Sequence, residues 1–150
     1  MYPKNNQFCF ACVNPCNTCT NESHCLTCAN GTGYLTNGQC VEADNCPDGT
    51  YADDLTRRCV GCPSGCTLCD NSTICTECSS VYFFYDNQCL TQCPSGTYKE
   101  SGTCQPCTSP CSTCITTSLN CLSCESPKLF YQNACHTTCP DSTYASNSNC

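Results

Sequence analysis

The sequence contains no tryptophan, one methionine and five lysine and arginine residues in 150 positions. Twelve acidic residues against those five bases leave a formal charge of −7, which disfavours nucleic acid as a partner. No apolar run approaches the about 18 residues that a membrane helix needs, so no segment of this stretch is expected to span a bilayer. Helical periodicity is absent throughout, as are C-x-C steps and glycine-rich phosphate loops. The first residues, Met1-Tyr2-Pro3-Lys4-Asn5-Asn6, are polar and do not resemble a secretory leader. The apolar share of 39% is inflated by cysteine, and the leucine, valine and isoleucine that remain are scattered. An ordinary chain of this size buries a large continuous core. This composition excludes one. Ordering the backbone costs about 1–2 kcal/mol per residue, so cross-links are expected to supply what burial cannot.

What the sequence has instead is 25 cysteines, set out three times in nearly the same order. From Cys9 the spacing is C-x2-C-x3-C-x2-C-x5-C-x2-C, through Cys12, Cys16, Cys19, Cys25 and Cys28, followed by Cys40 and Cys46. The order restarts at Cys59, and again at Cys104, and the last cysteine is Cys150; the steps are 50, 45 and 46 residues. A period of this size marks an array of one small unit. Cutting the array so that each unit holds eight cysteines gives residues 12–59, 60–104 and 105–150, with 1–11 as the end of a preceding repeat or an N-terminal extension. Cys9 is the odd one. It stands where Cys59 and Cys104 stand, so its partner is expected upstream or on another chain.

The C-x2-C pairs match the spacing of zinc knuckles, but three features favour disulfides. Loops of about ten residues are closed by single cysteines; eight tyrosines and five phenylalanines are interspersed; and His24 and His136 occupy unrelated places in their repeats. Redox-active C-x-x-C motifs belong at strand–helix junctions, which nothing here suggests. Disulfides imply an oxidising compartment. With a polar start and a secretory setting, the chain is expected to be a mature segment or a piece of a longer protein.

Within each unit the signals are those of short hairpins. The stretches Thr32–Gln39, Val81–Gln88 and Lys128–Ala134 join a β-prone aromatic run to Asn-Gly, Asp-Asn or a lone Asn, residues that tolerate positive φ in tight turns. A Cys-Pro-x-Gly/Ser-Thr-Tyr segment follows at Cys46–Tyr51, Cys93–Tyr98 and Cys139–Tyr144. Its prolines suit the first residue of a strand, and the recurrent Tyr51, Tyr98 and Tyr144 are expected to pack over disulfides. The fold class is therefore small, disulfide-rich irregular β: a tandem array of short β-hairpin modules forming an elongated rod, with little or no helix.

This pattern resembles the furin-like cysteine-rich repeats of growth-factor-receptor cysteine-rich regions, R-spondins and some proprotein convertases. The shared signature, C-x2-C-x3-C-x2-C-x5-6-C-x2-C, a hairpin, then C-x3-C-P-x-G-x-Y, covers the chain from Cys9 onward. Repeat one departs with five residues between Cys40 and Cys46, and repeat three with six between Cys114 and Cys121. The asparagine, serine and threonine richness is also similar to long surface proteins of ciliates and other protists. Eight cysteines allow 105 connectivities. The resemblance implies first to third, second to fourth, fifth to sixth and seventh to eighth. That gives Cys12–Cys19, Cys16–Cys25, Cys28–Cys40 and Cys46–Cys59; Cys62–Cys69, Cys66–Cys75, Cys78–Cys89 and Cys93–Cys104; Cys107–Cys114, Cys111–Cys121, Cys124–Cys135 and Cys139–Cys150. Repeats so closed are expected to stack with neighbour-only contacts.

Three N-x-S/T sequons, at Asn21, Asn30 and Asn71, are candidate glycosylation sites, two of them at the same place beyond Cys19 and Cys69. Asp44, Asp48, Asp53 and Asp54 cluster around Cys46 without the spacing of a calcium loop, and the metal and cofactor expectation is none. Arg57-Arg58 is a dibasic pair whose plainer role is surface charge. With the cysteines committed to cross-links and the histidines far apart, no nucleophile–base arrangement exists, and no enzyme is expected. The expected role is a non-catalytic extracellular or cell-surface module, structural, coat-forming or assembling, possible filaments included. Its expected partners are protein chains or further copies of the repeat, with N-linked glycans. The alternative is the ligand-binding or regulatory ectodomain of a receptor-like membrane protein, with Tyr82-Phe83-Phe84-Tyr85 as its contact patch.

Overall fold

The computed structural model describes residues 2–4, 8–29, 31 and 33–150, with side chains from Phe10 onward. It forms two compact units, Met1–Glu77 and Cys78–Cys150. Their boundary falls inside the 60–104 stretch, between its cysteine-bearing hairpin and its aromatic one.

In the first unit, β1 (Tyr2–Lys4) and β2 (Phe8–Phe10) pair antiparallel, with Tyr2 opposite Phe10 and Pro3 opposite Cys9. β3 (Cys16–Asn21) and β4 (His24–Cys28) form a bulged hairpin, a cysteine knuckle, closed by Cys12–Cys19 and Cys16–Cys25. β5 (Tyr34–Thr36) and β6 (Gln39–Val41) follow, then a 3-10 turn at Ala43–Asn45. β7 (Thr50–Asp53) and β8 (Arg58–Gly61) complete a four-stranded sheet in the order β6-β5-β8-β7. The next knuckle is β9 (Cys66–Cys69) with β10 (Cys75–Cys78).

The second unit repeats these parts. β11 (Phe83–Tyr85), β12 (Gln88–Leu90), β13 (Thr97–Glu100) and β14 (Thr103–Pro106) form a sheet in the order β12-β11-β14-β13. β15 (Cys111–Cys114) and β16 (Cys121–Cys124) form the third knuckle, and β17 (Leu129–Tyr131) pairs with β18 (Ala134–His136). Beyond β18 the last pairing shrinks to single bridges, Phe130 with Asn149 and Ser146 with Asn149. The fold class is as the sequence indicates: short disulfide-linked hairpins in tandem, with no α-helix among the described residues.

The turn chemistry explains the hairpins. Asn37-Gly38, Asp86-Asn87 and Gln132-Asn133 all carry positive φ at both central positions, the geometry of two-residue hairpin turns. The Cys-Pro segments differ from expectation. Pro47, Pro94 and Pro140 do not begin strands; each starts a turn. Its carbonyl accepts from the threonine three residues on, through the N–H at 3.0, 3.1 and 3.1 Å and through the hydroxyl at 2.5, 2.6 and 2.6 Å. A proline opens such a turn well because its φ is preset and its missing N–H is not called upon.

Burial confirms how little oil there is. Among the described residues, seven of the nine buried apolar side chains are cysteines, the others being Tyr34 and Leu35.

Candidate functional site

The chemistry of this chain lies in its sulfur bridges. The structure pairs Cys12–Cys19, Cys16–Cys25, Cys28–Cys40, Cys46–Cys59, Cys62–Cys69 and Cys66–Cys75 in the first unit. In the second it pairs Cys78–Cys89, Cys93–Cys104, Cys107–Cys114, Cys111–Cys121, Cys124–Cys135 and Cys139–Cys150. Separations along the chain run from 7 to 13 residues, and Cα–Cα distances from 5.0 to 5.8 Å, inside the range disulfides require. These twelve bonds use every cysteine except Cys9. The Cys9 side chain itself lies outside the described residues.

Bonded cysteines are not those that face each other. In the first knuckle the register sets Cys16 opposite Cys28 and Cys19 opposite Cys25, yet neither pair is joined. The third knuckle repeats this with Cys111 opposite Cys124 and Cys114 opposite Cys121. Cys16–Cys25 and Cys111–Cys121 instead cross their hairpins out of register, while Cys12–Cys19 and Cys107–Cys114 reach back to the segment before the hairpin and Cys28–Cys40 and Cys124–Cys135 reach on to the next one. The hairpins are thereby tied to one another as well as closed.

Two of the three sequons are visible. The Asn21 side-chain oxygen accepts from the N–H and hydroxyl of Ser23, at 2.9 and 3.1 Å. The Asn71 oxygen accepts from the N–H and hydroxyl of Thr73, at 2.9 and 2.8 Å, and from the Ile74 N–H at 3.0 Å. Both are Asx turns at knuckle tips, exposed at Asn21 and half-exposed at Asn71. Each fixes the amide of the asparagine beside the hydroxyl of its own sequon. Asn30 lies outside the described residues.

Within the acidic cluster, Asp53 and Asp54 spend their oxygens locally. Asp53 accepts from the Thr56 hydroxyl at 2.5 Å and from the N–H groups of Leu55 and Thr56, both at 3.3 Å. Asp54 accepts from the Tyr34 hydroxyl and from Arg57 at 3.0 Å, while the Arg57 guanidinium lies 4.3 Å from the Tyr34 ring centre. Arg57 is thus a cap on Tyr34, and Arg58 belongs to β8; the dibasic pair is built into a disulfide-closed sheet. Tyr34 is pushed above the ordinary phenol range, first by its hydrogen bond to Asp54 and then by desolvation, with Arg57 opposing.

The Thr56 hydroxyl holds the Asp53 carboxyl below its usual range; desolvation opposes it as the next largest effect, and the Leu55 and Thr56 amides add smaller lowering contributions. A depressed folded-state pKa contributes stability that is present above the unfolded value and is lost as pH falls through the folded one. The 53–56 turn is therefore expected to loosen only below the normal carboxylate range. Carboxyl NMR titration checks this: Asp53 should titrate below the ordinary aspartate range, and Thr56→Val should move it back toward that range.

The aromatic run is mixed, with Tyr85 exposed at its end. Tyr82, Phe83 and Phe84 are half-buried, and the Lys99 ammonium lies 4.2 Å from the Phe83 ring centre. The three repeated tyrosines divide. Tyr98 packs against the buried Cys111–Cys114–Cys121 cluster of the following knuckle, beside Phe130. Tyr51 is also half-buried, on a strand that lies against β9. Tyr144 is 81% exposed.

Sequence reasoning missed one contact: an ideal Cβ on Gly38 would stand 2.2 Å from the His24 ring, so the imidazole lies where only glycine leaves room. The Asn37-Gly38 dipeptide signalled the turn but not the histidine lying on it.

No protein-family model matches the chain. Similarity extends to proprotein convertase subtilisin/kexin type 5 of Rattus norvegicus, 34% identical over 107 residues, covering 69% of this chain and 6% of the relative. Cysteine repeat modular protein 2 of Tetrahymena thermophila is 40% identical over 143 residues, covering 71% of this chain and 7% of that protein. Human R-spondin-3 is 42% identical over 59 residues, covering 39% of this chain and 20% of the relative. The chain thus spans only a small part of each. What it shares with them is cysteine-rich repeat sequence and not a catalytic domain, and the likeness supports the furin-like cysteine-rich repeat family in the broad sense. With twelve disulfides, the segment is a non-catalytic, extracellular module.

Proposed function

We propose that this chain is a segment of a longer furin-like repeat protein, and that its three repeats serve as a rigid spacer, coat or assembly element. The observation that carries this reading is the identity of the buried residues, which are mostly half-cystines. A chain built this way keeps its shape unit by unit under conditions that strip a conventional core. The Asx-turned sequons at Asn21 and Asn71 favour N-linked glycans that shield the knuckle tips. Cys9 is assigned a partner outside these 150 residues, upstream or on another chain. The receptor-ectodomain alternative would draw on Tyr82-Phe83-Phe84-Tyr85, of which Tyr85 is exposed; the half-burial of Phe83 and Phe84 favours the spacer reading.

Limited proteolysis of the secreted chain tests the reading. Digestion is expected to accelerate at least about 30-fold after reduction and alkylation, in line with bridges contributing roughly 2–4 kcal/mol each. Glycosidase treatment is expected to remove mass that Asn21→Gln and Asn71→Gln each reduce in part. Equal digestion rates before and after reduction would contradict the structural role, and an unglycosylated secreted product would contradict the shielding role.

A further inference from the structure

Three polar side chains of the first repeat meet in one depression. His24 stands on β4, Asn37 in the β5–β6 turn and Arg58 on β8; with Leu26, Leu35 and Gly38 they line an open cleft of about 520 Å³. Among the described residues, none of the three side chains has a hydrogen-bond or ion-pair partner. The apolar wall is Leu35, which is buried, and Leu26, which is 46% exposed. Backbone bonds bring these parts together. The Gly38 carbonyl accepts from the Cys25 N–H at 2.6 Å, which holds the hairpin tip on β4, and Leu35 pairs with Arg58 across β5 and β8. A Cβ on Gly38 would stand 2.2 Å from Nδ1 and Cε1 of His24, so the glycine is what admits the imidazole.

No carboxylate lines this cleft, although the chain carries a net charge of −7. The acids near Arg58 in sequence are spent elsewhere: Asp53, opposite it in the β7–β8 register, holds the 55–56 turn, and Asp54 holds Tyr34 and Arg57. The other repeats supply an internal comparison. At the residue before the knuckle's last C-x2-C, at the first turn position and at the residue before the repeat's last cysteine, His24, Asn37 and Arg58 give way to Ile74, Asp86 and Thr103, and then to Asn120, Gln132 and Asn149. Neither set has a base, and the second repeat has an acid at the turn. The shared hairpins form without a histidine or an arginine at these places, so folding does not demand the first repeat's set.

We infer that the His24–Asn37–Arg58 cleft is a binding site for a carboxylate on a short aliphatic body. The guanidinium fork takes a carboxylate through two parallel N–H bonds, and the Asn37 amide and the imidazole add donors beside it. Leu26 and Leu35 receive the aliphatic part, which gives the mixture of apolar wall and few convergent polar groups that ligand clefts share. A free organic acid and the acidic side chain of a peptide both present this group. An empty cleft would leave the spacer role untouched, because that role rests on the bridges.

NMR titration of the full chain with 4-methylpentanoate tests it. Saturable shifts are expected at the His24 ring, the Asn37 side-chain amide and the Arg58 Nε–H, and uncharged 4-methylpentanamide is expected to bind at least about tenfold more weakly. The peptide acetyl-Leu-Glu-Leu-amide separates the two sources: tighter binding than the free acid assigns the site to peptides, weaker binding to small acids. Arg58→Gln and Asn37→Asp are each expected to weaken binding at least about tenfold, and Lys128→Gln to leave it unchanged. Asn37→Asp suits the turn, since Asp86 holds the same place at φ of 47° against 46° for Asn37. Thiol counting verifies that every variant keeps its bridges. The absence of saturable shifts with both carboxylates, equal binding of the amide, or undiminished binding by Arg58→Gln and Asn37→Asp would overturn the assignment.

Discussion

Removing the Cys111–Cys121 bridge, with alanine at both positions, is expected to destabilise the third repeat by about 3 kcal/mol, or roughly a hundredfold in its opening equilibrium. Both cysteines are nearly inaccessible, at 4% and 2%, and Tyr98, Phe130, Cys107 and Cys135 pack around them. The change thus removes a constraint on the unfolded chain and opens a cavity in the largest apolar cluster of the unit. Amide exchange across residues 107–136 should report the loss. Residues 12–59 should keep their protection, because no bridge spans more than 13 residues and stability in such an array is set locally. Uniform loss of protection along the whole chain would mean that the repeats are one cooperative body.

Gly33→Ala is the substitution expected to cost most outside the cysteines, about 2–4 kcal/mol. Gly33 has φ of +145°, and a Cβ there would stand 2.4 Å from the Val41 carbonyl oxygen and 3.1 Å from its carbon. Backbone cannot step aside as a flexible side chain can, and Val41 is held in place by its pairing with Tyr34. Gly49→Ser is the matched comparison. Its φ is also positive, at +76°, but nothing lies within 4 Å, and the third repeat already carries Ser142 at the same place. It should cost about 1 kcal/mol. Denaturant midpoints followed through β5–β6 exchange separate the two, and equal costs would show that φ alone, not the close approach, sets the requirement at Gly33.

The hairpins were legible because their turns announce themselves: Asn-Gly and Asp-Asn supply positive φ at little cost, and the aromatic residues before them favour strands. Other features were not. Arg57 adopts φ of 55° although arginine is no turn former; Asp53 capping and the Cys46–Cys59 bridge hold it there. The parallel contacts of Leu35 with Arg58 and Phe84 with Thr103 are single register points, too short to leave a pattern in composition. The three Cys-Pro-x-Gly/Ser-Thr-Tyr segments look alike as sequence. Only the structure distinguishes Tyr98, which has a knuckle against it, from Tyr144, which does not, because the difference lies in the neighbour and not in the motif. The choice of which cysteines bond was likewise beyond spacing, since residues facing across a hairpin are the ones left unjoined.

The measurement closest to the centre of this account is a count of free thiols in guanidinium without reductant, with metal analysis of the same sample. Bridges in place of a core predict at most one alkylated cysteine, Cys9, out of 25, full labelling only after reduction, and no bound zinc. Many labelled cysteines before reduction, or zinc released in step with them, would show a thiolate–metal scaffold and contradict it.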